Sequence, residues 1–217
     1  MAEAGTEGAG DGHDSGPLGG RRLYLCTPDR PDLPDFLAAC LRGGVEVVQL
    51  RDKHLDARPL LARARVAAEV CRAAGVPFVL NDRPDLALEV GADGVHVGQD
   101  DAPPSLARRI LGPDAVVGLS THAPAEVDAS VAEPVDYVSA GPVTATPTKP
   151  GRPGTGRDYA AYAVRTAGRP VFVTGGVTPA TVGPLLAAGV RRFVVVRWLT
   201  EAADPEDAAR ALRAALG

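Results

Sequence analysis

A chain of 217 residues, 45% hydrophobic and 23% charged, has the balance of a globular protein and the length to bury a full core. Its net charge is -4 and aromatics make up 4%, so it offers neither the basic surface nor the stacking platform that nucleic acid requires. Its longest apolar runs, such as 193–196, fall far short of the roughly 20 residues that cross a bilayer as a helix.

The first residues, MAEAGTEGAGDGHDSGPLGG, are rich in Gly and acid and nearly free of large apolar side chains. They lack the basic start and apolar stretch of a signal peptide. They predict a disordered tail over 1–20, with His13 a bystander in it. From there, strand and helix patterns alternate as one domain over 21–217. Short β-branched runs predict strands at 22–27, 45–50, 77–80, 93–97, 115–120, 136–140, 170–174 and 192–196. Such continuously apolar runs suit strands buried on both faces of a parallel sheet. Between the second and third, Asp56 is placed to cap a helix carrying Leu60, Leu61, Ala64, Ala67, Ala68 and Cys71, and Gly75 to end it. Further helices are expected over 34–42, 84–90, 103–111, 124–131, 159–167, 179–188 and 205–216. Proline sits near the start of most of them, where a missing N–H costs little. Eight β/α units, and no GxGxxG after the first strand, favour an α/β fold of one (β/α)8 TIM barrel over a doubly wound sheet.

Cys26, Cys40 and Cys71 are odd in number and far apart, with no CxxC or Cys/His cluster. They support neither a disulfide framework nor a structural zinc site and read as small apolar filler. A reducing, cytoplasmic compartment fits them best.

In such a barrel, chemistry sits at the C-terminal ends of the strands. The chain holds two lysines against twenty-one arginines, one asparagine and two glutamines. All five of these rare residues fall at or just after predicted strand ends: Gln49 and Lys53, Asn81, Gln99, and Lys149. In QLRDK, Arg51 offers a planar fork to phosphate oxygens and Lys53 a mobile point charge. Asp82 and Asp101 follow adjacent strands, where two carboxylates can hold one Mg²⁺ that also binds substrate phosphates. The competing reading is that such acids only cap the next helix, and Asp100 fits that role better. Ser120, Thr121 and His122 end strand 5 with hydroxyls suited to phosphate. The loop GPVTATPTKPGRPGTGR (141–157) is long for its position, as lids and ligand clamps are. Thr146, Thr148 and Lys149 in it suit anions. Gly175 and Gly176 end strand 7, where such barrels often bind phosphate on backbone N–H groups. A metal-plus-cation zone and a backbone zone together suit the joining of a diphosphate to a second phosphorylated substrate.

The segments QLRDK (49–53), LNDRPDLALEVGADGVHVGQDD (80–101), GLSTHAPAE (118–126), DYVSAGPVTATPTKPGR (136–152) and TGGVTPAT (174–181) resemble the signature segments of the thiamine phosphate synthase family. The resemblance runs in order from about Leu23 to Leu199. It implies a transferase that condenses hydroxymethylpyrimidine diphosphate with a thiazole phosphate, releasing diphosphate, by a dissociative course. By that likeness Gln49, Leu50, Arg51, Asp52, Lys53, Asn81, Ser120 and Lys149 hold the pyrimidine diphosphate. Arg51, Lys53, Ser120 and Lys149 carry the catalysis. Asp82 and Asp101 hold Mg²⁺. Thr146, Pro147, Thr148, Gly176, Val196 and Arg197 meet the thiazole phosphate. Two departures stand out. Arg197-Trp198 replaces the family's common serine, so contact there falls to the backbone N–H or to the guanidinium. Thr144-Ala145 replaces the commoner Phe-Pro in the lid.

Two other readings remain in view. A related thiazole tautomerase would use His122 as acid and base, and needs no metal or diphosphate site. A non-catalytic phosphate-ligand binder would give the acidic pair no purpose. The expected partners are small phosphorylated molecules, not nucleic acid or membrane, with self-association into a homo-oligomer left open.

Overall fold

The structure, a computed structural model, describes residues 16–146 and 153–217. Among them, eight parallel strands close into a barrel in chain order. They are β1 (Leu23–Thr27), β2 (Val47–Leu50), β3 (Phe78–Asn81), β4 (Gly94–Val97), β5 (Val116–Thr121), β6 (Tyr137–Ala140), β7 (Val171–Thr174) and β8 (Arg192–Val195). Leu23 opposite Phe193 joins the last strand to the first. The outer ring is α1 (Leu33–Arg42), α2 (Ala57–Ala74), α3 (Pro84–Val90), α4 (Pro104–Leu111), α5 (Pro124–Ser130), α6 (Gly156–Thr166), α7 (Val182–Ala187), α8 (Arg197–Thr200) and α9 (Pro205–Leu216).

The two-residue period of the strands divides the core. Leu23, Leu25, Val48, Leu50, Phe78, Leu80, Val95 and Val97 face the helices, in one cluster with their apolar stripes. The alternate residues face inward. Tyr24, Val47, Val79, Val116, Tyr137 and Phe172 fill the lower interior as a second cluster. Gly118 makes room for this: a Cβ there would lie 2.1 Å from the Tyr137 ring. The strand carrying Val116 and Ser120 can therefore pass a tyrosine lying across the barrel.

Leu18 belongs to the same inner cluster and is only 1% exposed. The turn before β1, closed by Gly19 N–H on the Gly16 carbonyl at 2.7 Å, sets it against the barrel floor. The tail expected over 1–20 thus ends sooner on its C-terminal side: a lone leucine in a glycine-rich run is the residue that packs. Residues 1–15 lie outside the described residues, His13 with them.

Other differences are local. Asp56 occupies the position before α2 but its side chain makes no capping bond. Glycines mask the start of α6, which lies at Gly156. Thr178 and Thr181 tie off a turn by Thr178 N–H on Thr181 Oγ1 at 2.9 Å, so α7 begins after it. The four residues of α8 are too few to show a period. All three cysteines are buried and none forms a disulfide among the described residues, and burial pushes the Cys40 and Cys71 thiols up to about 12. Among the described residues no helix is long and apolar enough to cross a membrane.

Candidate active site

A cavity of about 990 Å³ opens at the C-terminal ends of the strands. The sheet register builds it from inward-facing positions. Cys26, Gln49, Asn81, His96, Ser120 and Ser139 stand on β1 to β6, one above the buried aromatic layer.

On the β2–β4 side the walls are charged. Lys53 Nζ lies 2.9 Å from Asp82 Oδ2. Asp82 follows β3 with φ 61, among the few non-glycine types that tolerate this left-handed region. Its N–H donates to the His96 carbonyl at 2.8 Å, which fixes where its carboxylate points. Asp101 Oδ2 accepts the Gly98 N–H at 2.9 Å. The two carboxyl groups influence each other's protonation. Burial, then Asp101, hold Asp82 above the usual carboxylate range, against the pull of Lys53. Burial also pushes Asp101 up, but the Asp82 carboxyl, the Gly98 N–H, Lys53 and Arg51 outweigh it and leave Asp101 low. A divalent cation would compete with protons for these carboxylates. The donor set fits Mg²⁺: two carboxylates opening on a cavity, with the remaining positions left to water and phosphate. It is a pair rather than a cage, since no group of three or more such ligands occurs among the described residues.

Not every residue of QLRDK serves the cavity through its side chain. Leu50 is fully buried in the cluster facing the helices. Asp52 lines the cavity, but its carboxylate holds the loop by accepting the His54 N–H at 2.9 Å and the Leu55 N–H at 3.2 Å. Gln99 braces the neighbouring strand, donating to the Ser120 carbonyl at 2.7 Å. His122 is held by Glu126, four residues on, through its backbone N–H at 2.7 Å and Nδ1 at 3.2 Å.

On the β6–β8 side the walls are backbone. Val143 N–H donates to the Thr174 carbonyl at 2.8 Å, seating the start of the long loop on β7. Thr155 N–H on the Pro142 carbonyl at 2.8 Å ties the loop's other stem to the same place. Gly175, at φ 105, lets the chains touch: a Cβ there would lie 2.6 Å from Val143 N. Gly176, Thr146, Val196 and Arg197 line this side. Pro147, Thr148 and Lys149 lie outside the described residues.

Below both zones runs a buried polar chain that sequence reasoning missed. Cys26 Sγ donates to Gln49 Oε1 at 3.2 Å, and Gln49 Nε2 donates to Tyr24 Oη at 2.9 Å. Tyr24 and Tyr137 hydroxyls meet at 2.9 Å. Tyr137 meets His96 Nδ1, and His96 Nε2 meets Ser120 Oγ, each at 2.9 Å. Burial raises both phenols far above their ordinary range, so they stay neutral. The available signal was polar residues in alternating register inside apolar strands: Tyr24, His96, Tyr137 and Ser139.

The model of one family, thiamine monophosphate synthase, matches residues 23–199. The chain belongs to the thiamine monophosphate synthase family. It is 48% identical over 204 residues to the thiamine-phosphate synthase of Acidothermus cellulolyticus, covering 92% of this chain and 96% of that one. It is 50% identical over 198 residues to the thiamine-phosphate synthase of Thermus thermophilus, covering 88% and 95%. The thiamine phosphate pyrophosphorylase of Pyrococcus furiosus superposes with a TM-score of 0.83 at 27% identity, over 92% of this chain and 96% of that one. Family, relatives and fold agree on a thiamine-phosphate synthase, a transferase, over the tautomerase and binder readings.

Proposed function

We propose that the enzyme joins hydroxymethylpyrimidine diphosphate to a thiazole phosphate with the two substrates divided between the two sides of the cavity. The observation that carries this is the contrast at one mouth: an acidic pair with Lys53 across from glycine-lined backbone. The pyrimidine diphosphate lies on the β2–β4 side, against Gln49, Arg51, Lys53, Asn81 and Ser120. Gln49 offers an amide edge, a donor beside an acceptor, which matches the edge of an aminopyrimidine. Leu50 and Asp52 shape the strand end that carries Arg51 and Lys53. The thiazole phosphate lies against Thr146, Pro147, Thr148, Gly176, Val196 and Arg197.

The bond from the pyrimidine methylene carbon to the diphosphate oxygen breaks first, its electron pair leaving with diphosphate. The thiazole nitrogen then gives its lone pair to the carbon cation, and no proton need move. Arg51, Lys53 and Lys149 meet the negative charge that grows on the leaving oxygens. The Ser120 hydroxyl donates to the bound diphosphate ester. Asp82 and Asp101 would hold Mg²⁺, which when bound neutralises charge on the diphosphate. Among the described residues, the lower interior beneath the reacting carbon is filled by apolar side chains and neutral phenols. The buried, unbridged cysteines support a cytoplasmic setting.

The test is diphosphate release by the full chain with each substrate alone and both together, with and without Mg²⁺. Release is expected only with both substrates and Mg²⁺. Undiminished release in excess EDTA would remove the metal from the reading. Conversion of the thiazole substrate alone would favour the tautomerase.

A further inference from the structure

The buried polar chain has a direction. A phenol or a serine hydroxyl carries one proton to donate, and so does a neutral imidazole. Gln49 Nε2 donates to Tyr24. Tyr24 then has its single proton for Tyr137, and Tyr137 has its own for His96 Nδ1. With Nδ1 accepting, the imidazole proton sits on Nε2, facing Ser120 Oγ at 2.9 Å. The Ser139 hydroxyl also donates to Ser120 Oγ, at 3.4 Å, while its oxygen lies 3.5 Å from His96 Nε2, placed to accept from it. Ser120 therefore accepts on its protein side, and its own proton is left for the cavity.

We propose that Tyr24, Tyr137 and His96 form a one-way relay that sets the polarity of two cavity groups, the Gln49 amide and the Ser120 hydroxyl. The three act as positioning residues for the pyrimidine substrate. The proposal deepens the reading above and rests on the pyrimidine diphosphate occupying this side.

The geometry excludes the more familiar use of a Ser–His contact. A nucleophilic serine gives its proton to Nε2, which requires the ring proton on Nδ1 with an acceptor behind it, most often a carboxylate. Behind His96 stands the Tyr137 hydroxyl, neutral and shared with Tyr24. The His96 ring also stacks on Tyr137, centroids 5.4 Å apart at 27°, and a partner on each ring nitrogen holds its orientation. Reversing the relay would turn the Gln49 amide over and commit the Ser120 proton to His96. Ser120 would then have nothing to donate to an anionic ester. One tautomer thus serves both ends of the chain.

Two measurements test this on the full chain. The first needs no activity: ¹⁵N spectra of histidine-labelled protein, with the His96 signals assigned by their loss in His96→Gln. A protonated Nε2 and a bare Nδ1 are expected. A proton on Nδ1 would overturn the relay even in a fully active enzyme. The second is Tyr137→Phe, which cuts the chain while leaving Ser120 and Gln49 in place. KM for the pyrimidine diphosphate should rise about tenfold, the scale of one hydrogen bond, with KM for the thiazole phosphate within about twofold of wild type. In the same variant the His96 spectrum should lose its single tautomer. Equal changes in both KM values, or none in either, would reduce these residues to packing. Failure of the substrate assignment is visible separately: in Tyr137→Phe the thiazole phosphate KM alone would rise, with the expected His96 tautomer still present in the wild type.

Discussion

Around the cavity mouth, the β2–β4 side and the β6–β8 side are built from different parts. The first uses side chains: Arg51, Lys53, and the Asp82–Asp101 pair, held by strand-end geometry and by Gly98. The second uses the chain itself, brought close by Gly175 and Gly176 and tied by Val143 and Thr155 N–H groups. The difference teaches where specificity and mobility reside. Charged side chains can move with a leaving group, whereas packed backbone is set at folding. On the proposed division of substrates, the diphosphate that departs would meet the adjustable side, and the phosphate that stays on the product the fixed one.

The largest effect should come from the acidic pair. Asp82→Asn keeps a residue that tolerates the left-handed backbone at φ 61 and removes the charge. It should lower kcat by about 10²–10³-fold, the scale of losing one preorganised electrostatic partner. Denaturant unfolding should stay within about 1 kcal/mol of wild type, because Asn is enriched at such positions. Near wild-type turnover would mean that the side-chain half of the comparison is decoration.

Gly175→Ala strikes the other half. Its Cβ would lie 2.6 Å from Val143 N and 2.7 Å from Pro142 Cα, at φ 105. Backbone cannot step aside as a flexible side chain does, so a loss of roughly 3 kcal/mol is expected. That corresponds to a melting temperature roughly 6–12 °C lower. The shift of the loop stem should raise KM for the thiazole phosphate and leave KM for the pyrimidine diphosphate alone. A rise in the pyrimidine KM instead would break the division of substrates.

Much of this was legible before any coordinates. The eight strands fall within two residues of their sequence positions at each end, because each is a short apolar run bounded by glycine, proline or acid. Lys53 and the rare amides Gln49, Asn81 and Gln99 marked the β2–β4 side by composition alone. The β6–β8 side was legible only as a bare Gly-Gly, since backbone N–H groups leave no signature in residue type. The relay was illegible for another reason. Tyr24 and Tyr137 read as strand formers, and only closure of the barrel brings their hydroxyls within 2.9 Å. Leu18 was hidden by its glycine-rich surroundings.

That leucine supplies a control for the comparison. Leu18→Ala should cost about 2 kcal/mol, the low end for a buried leucine since its turn can settle into the space. Deleting residues 1–20 should cost at least as much. Both KM values should hold, because Leu18 packs at the opposite end from either substrate side. A change in either KM would show that the floor is coupled to the mouth.

Arg197 gives the smallest effect and the sharpest question. It opens α8 on the backbone-built side, where its guanidinium is exposed and lines the cavity. If the guanidinium meets the thiazole phosphate, a charged side chain has entered the half that otherwise works through peptide groups. Its contribution is limited by solvent, where an exposed ion pair is worth about 0.2–1 kcal/mol. Arg197→Ala should then raise KM for the thiazole phosphate only about threefold at low salt, with kcat unchanged. High salt should erase the difference, because an exposed contact is screened. Arg197→Lys should retain most of the affinity, since long-range charge rather than a bidentate fork does the work at an exposed site. An unchanged KM in Arg197→Ala at low salt would assign the contact to the backbone N–H. The β6–β8 side would then offer phosphate backbone groups at β8, as the proposed reading has it at β7.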